Sequence, residues 1–83
     1  MSQSVPRNLP GLTRDALLGG WEVHVTYRGR MVWLSVHRGG EQVSVKWIPD
    51  GPGWSLWDSL INGEKTPYWQ CTRLIRSPEG ATS

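Results

Sequence analysis

The chain has 83 residues and a formal net charge of +2, with one cysteine, six Trp, two Tyr and no Phe. That length supports one small core and no second. The lone Cys71 excludes an internal disulfide and fits a reducing cytosol, and a charge so near zero excludes the broad basic stripe of a protein that neutralises many phosphates.

Residues 1–12 carry Pro6, Pro10 and Gly11 and predict a flexible, irregular arm. Thr13 is placed to cap a short helix over residues 14–18, with Ala16, Leu17 and Leu18 on its apolar side and Gly19-Gly20 as its stop. A helix this short is unstable alone and must dock on other structure. No apolar h-region follows Met1 and no apolar run reaches membrane-spanning length, so the expectation is a cytoplasmic protein with no membrane partner.

Residues 21–48 read as three strands, over 21–28, 30–38 and 41–48, joined by tight turns at Gly29-Arg30 and Gly39-Gly40. The first turn sets Tyr27, Val25 and Val23 opposite Val32, Leu34 and Val36. The second sets Val36, Leu34 and Val32 opposite Val43, Val45 and Trp47. Both turns independently put every one of these side chains on a single face, and a slip of one residue would send the set to the other side.

Pro49-Asp50-Gly51-Pro52-Gly53 ends the third strand. Ser55 and Asp58 then stand at capping-box spacing, with Trp57, Leu60 and Ile61 at helical spacing and Asn62-Gly63 as a stop. This predicts a helix over residues 55–62 whose Trp57 face covers the apolar side of the sheet. Residues 68–76 are rich in aromatic and β-branched side chains and predict a fourth strand, with Trp69, Cys71 and Ile75 on one face; residues 77–83 read as a flexible tail. The expected fold is α+β, a single domain over residues 13–76. A small antiparallel sheet, the meander plus a fourth strand, is packed by one short helix, with a short N-terminal helix. This element order resembles that of double-stranded-RNA-binding domains over the first three-quarters of the chain. The basic helix start that such domains place on phosphates is missing, so the resemblance carries over no residue and no activity.

The same register lays out the opposite face. Thr26, Trp33 and Lys46 form one row, then His24, Ser35 and Ser44, then Glu22, His37 and Gln42, while Arg28, Met31 and Ile48 lie at the other end. An indole at the centre of a mostly polar face is either covered by the N-terminal helix or the last strand, or presented to a partner. Trp, Met and Arg are enriched at interfaces and meet here as Trp33, Met31, Arg28 and Arg30, with Lys46, Ile48, His24 and His37 around them. Arg38, at the far end of the second strand, reads with Arg28 and Arg30 as part of a mixed, solvated surface.

Glu22, His24 and His37 place two imidazoles and a carboxylate within cross-strand reach, about 5 Å directly and roughly 7 Å diagonally. Their positions match no recognised ligand spacing, and polar residues on a wet face account for them, so no metal or other cofactor is expected. Cys71 has no assignable His partner, no two carboxylates face each other, and no glycine turn leads into a Lys-Ser/Thr helix start. The expectation is therefore a non-catalytic protein that docks on another protein as an inhibitor, regulator or accessory subunit. The alternative is a nucleic-acid-binding module in which Trp33 and a histidine stack on bases while Arg28, Arg30 and Lys46 follow the backbone. Self-association through an open edge, on the third strand or the last, is a variant of the first expectation.

Overall fold

Glycine turns fold the middle of the chain into a meander in the computed structural model, which describes residues 5–77. The elements are α1 (Leu9–Leu18), β1 (Glu22–Arg28), β2 (Met31–Arg38), β3 (Glu41–Asp50), β4 (Gly53–Ile61), β5 (Glu64–Lys65) and α2 (Tyr68–Arg76). The five strands form one antiparallel sheet in sequence order, an α+β arrangement with two helices. Two-residue turns at 29–30, 39–40 and 51–52 each begin with a glycine at φ near 60°, the arrangement of a type II′ hairpin turn. The β1–β2 and β2–β3 registers match the sequence expectation pair for pair, including Val25 opposite Leu34 and Leu34 opposite Val45.

Two expected elements exchange identity. Residues 55–62 are not a helix but most of β4, and residues 68–76 are not a strand but α2. A bulge explains the first. Lys46 faces Asp58 while Trp47 faces Leu56, so Trp57 is an extra residue with no opposite number. The insertion turns a strand's period of two into an apparent helical spacing. Asn62-Gly63 is correspondingly a hairpin turn rather than a helix stop, with both residues at positive φ as a type I′ turn requires. In α2, Cys71 and Ile75 lie four apart on a buried stripe, with Tyr68 half-buried above them, and Trp69 points away at 58% exposed.

The N-terminal helix also starts earlier than expected. Pro10 sits in its first turn, where no N–H is needed, and Thr13 is inside the helix, its hydroxyl donating to the Leu9 carbonyl at 2.8 Å. The expected arm and tail fall partly on residues 1–4 and 78–83, outside the described residues.

Both helices pack on the same face of the sheet, α1 over β1 and β2, α2 over β3 and β4. Leu9, Leu12 and Ala16 from α1 and Cys71 and Ile75 from α2 meet Val32, Leu34, Val36, Val43, Val45 and Trp47 there. Trp21 closes one end, its indole N–H donating to the Ile75 carbonyl at 3.0 Å. Arg38 is not part of a solvated surface. It is buried, and its guanidinium donates to the carbonyls of Gly19 (2.9 Å) and Ser77 (2.8 Å). These residues terminate α1 and α2, so one cation satisfies orphan carbonyls at the negative ends of two helices.

Candidate functional site

The face of the sheet opposite the helices carries no other element among the described residues. Trp33 lies on it, half-buried by its neighbours, so neither the N-terminal helix nor the last element covers the indole. Strand pairing puts Thr26, Trp33, Lys46 and Asp58 in one row across β1 to β4. The Lys46 ammonium sits 4.2 Å from the centroid of the Trp33 ring, a cation–π contact. Met31 and Ile48, both half-buried, are each two residues along their strands from Trp33 and Lys46 and extend the apolar centre toward the first turn. Arg28 and Arg30 are exposed at that end, Arg28 opposite Met31 and Arg30 in the turn itself.

The histidines occupy the other half of the face. His24 and His37 meet edge to face with ring centroids 5.8 Å apart, and His24 Nε2 lies 3.1 Å from a Glu22 carboxylate oxygen. No group of three His, Cys, Asp or Glu side chains among the described residues is arranged to hold a metal. Ser35 and Ser44 share the row of His24 and separate His37 from the Trp33 row. The site residues nominated from sequence thus share one uncovered surface, but as two clusters: an apolar and cationic half around Trp33, and a half of imidazole and carboxylate.

Two features bear on chemistry elsewhere. Cys71 is fully buried and burial pushes its thiol up, against an opposing hydrogen bond from Ser59. That favours the unreactive neutral form. Trp57, expected in the core, stands 59% exposed at the β4 bulge, because the extra residue has no place in either face's alternation.

One surface escaped the sequence reading. Val25 and Tyr27 have the expected register but are 36% and 58% exposed, because β1 is an edge and α1, though packed on it, leaves an open groove beside these two residues. Leu17 and Leu18 are exposed beside them. Together with Leu9 and Thr13 these residues line an open groove of about 630 Å³ between α1 and β1. The signal was available: α1 buries Leu9, Leu12 and Ala16, a stripe that leaves Leu17 and Leu18 outside it. The expected open edge on the third strand is also corrected, since β3 is interior and the free edges belong to β1 on one side and to β5 with the rest of β4 on the other.

No helix among the described residues is long and apolar enough to cross a membrane. Comparison of the chain with protein-family models, curated proteins and solved structures returns no match.

Proposed function

We propose that the protein is a non-catalytic docking protein whose open sheet face binds another protein around Trp33. The observation that carries this reading is an indole on an uncovered strand face, bracketed by Lys46 and flanked by Met31 and Ile48. An aromatic anchor among adaptable apolar side chains with cations at the margin is the composition of a protein interface core and rim. Arg28, Arg30 and Lys46 favour a partner that brings carboxylates around an apolar centre. Base stacking is the weaker reading, because the Lys46 ammonium already lies over the Trp33 ring and Asp58 stands opposite Lys46 in the same row.

The test uses the full chain and a Trp33→Ala variant as paired baits in extract of the native host. The captured protein is then purified and titrated against both baits at two salt concentrations. The proposal expects capture by the wild type, loss of capture by the variant, and an affinity that changes little with salt. Equal capture by both baits overturns it, as does an affinity that falls steeply with salt and is reproduced by an oligonucleotide.

A further inference from the structure

The sheet has two unlike edges. Along β4 the ladder is broken by the bulge at Trp57, and β5 covers the end at Leu60 and Ile61. Both are devices that keep an edge from pairing with another chain. Along β1 there is none. All seven of its residues pair regularly with β2, and the strand contains no Pro, no Lys and no bulge.

The hairpin at 29–30 determines which backbone groups of β1 are spent. Arg28 and Met31 flank a two-residue turn and therefore exchange N–H and C=O with each other. By alternation Glu22, His24 and Thr26 also bond to β2. Val23, Val25 and Tyr27 turn their N–H and C=O groups away from the sheet, and their side chains toward the helix side.

We propose that β1 pairs antiparallel with β1 of a second copy about a two-fold axis through Val25, giving one continuous sheet. Val25 is the midpoint of Glu22–Arg28, so this axis leaves no residue of the strand unpaired. It brings outward backbone groups against outward backbone groups, Val25 with Val25 and Val23 with Tyr27 of the second copy, for about six inter-chain N–H···O bonds. On the helix side it lays Val25 and Tyr27 of each copy against the exposed apolar groove beside Leu17 and Leu18. On the open face it sets Glu22 directly opposite Arg28 of the second copy, and symmetry repeats the pair. An axis moved one or two residues either way loses that pairing of opposite charges and strands part of β1. Complementary charge at the strand ends, apolar side chains between them and an unguarded backbone all select the same axis. The pairing is made by the backbone edge of β1 and not by the Trp33 ring, although Thr26 and Arg28 belong to both surfaces. It rests on the edge geometry alone, so it stands whether or not the docking proposal does.

Sedimentation equilibrium of the full chain tests it. The expected mass is twice the 9.4 kDa of one chain at micromolar concentration. Val25→Pro removes an N–H that points away from β2, so the β1–β2 ladder is kept while the inter-chain ladder is broken, and the variant sediments as a monomer. Glu22→Arg places like charges opposite each other twice and is expected to raise the dimer dissociation constant about tenfold at low salt. Adding Arg28→Glu restores the wild-type value. Both positions are exposed, so neither change touches the core. A chain that stays at 9.4 kDa up to high concentration overturns the proposal. So does a dimer that survives Val25→Pro, or one that ignores the charge exchange.

Discussion

The Arg38 guanidinium lies 4.2 Å from the centroid of the Trp21 ring, and each side chain reaches a carbonyl near the end of α2: Trp21 that of Ile75, Arg38 that of Ser77. With Gly19 as the third acceptor, this pair ties β2 to the last turns of both helices. Stability should therefore concentrate at this corner.

Arg38→Ala leaves two carbonyls without their donor and removes the stacked cation. A loss of about 2–4 kcal/mol is expected in urea unfolding. Arg38→Lys recovers less than half, because an ammonium lacks the planar fork that spans Gly19 and Ser77. Equal stability of Arg38→Ala and wild type would show the corner to be dispensable.

Trp47 of β3 and Trp57 of β4 should behave oppositely. Trp47 is 4% exposed and Trp57 is 59% exposed. Trp47→Ala is expected to cost about 3–5 kcal/mol and Trp57→Ala under about 1 kcal/mol, read from thermal midpoints. The reverse order would return Trp57 to the core.

Trp33→Ala should leave the fold intact while removing on the order of 2 kcal/mol or more of partner affinity. The indole N–H of Trp33, assigned by mutation, is expected to exchange fast with solvent. Slow exchange together with a large stability loss would make Trp33 structural.

Alkaline pH should weaken the fold in a defined window. Burial raises the Cys71 thiol and the Tyr68 phenol above their ordinary values, with hydrogen bonds from Ser59 and Asn8 opposing. The folded chain then holds these protons to higher pH than the unfolded chain, so stability is fully present at neutral pH. It is lost as pH rises past the ordinary thiol and phenol values, about 8.5 and 10. Cys71→Ala should remove the earlier part of that loss, and a thiol reagent at pH 8 should label Cys71 only in denaturant. Labelling of the native chain at a free-thiol rate would contradict the buried assignment.

The meander was legible because two signals, turn position and apolar alternation, had to agree, and in Val23, Val25 and Tyr27 against Val32, Leu34 and Val36 they did. Beyond Pro49 the signals part company. A single unpaired residue, Trp57, breaks the alternation, so that Trp57, Leu60 and Ile61 fall at helical spacing although Leu60 stands opposite Ser44 and Ile61 opposite Val43 on alternate faces of the sheet. Asn62-Gly63 serves equally as a helix stop and a hairpin turn, and only the partner strand decides between them. In residues 68–76 the helical stripe of Tyr68, Cys71 and Ile75 was present, but composition rich in aromatic and β-branched residues outweighed it. The candidate site follows the same division. Its rows come from the register and were readable, whereas the exposure of Trp33 depends on which face both helices choose, a tertiary choice that β1 to β3 alone do not determine.

The closing contacts set an order of events on the nascent chain. Every strand pairs with its neighbour in sequence, so the meander assembles as it leaves the ribosome. The bonds that fasten the helices span far more chain: Trp21 to Ile75 crosses 54 residues, and the Arg76–Asp15 ion pair 61. The apolar side of β3 and β4 therefore remains bare until α2 arrives to cover it. That interval, rather than the folded state, is when this chain is most open to aggregation and to chaperones.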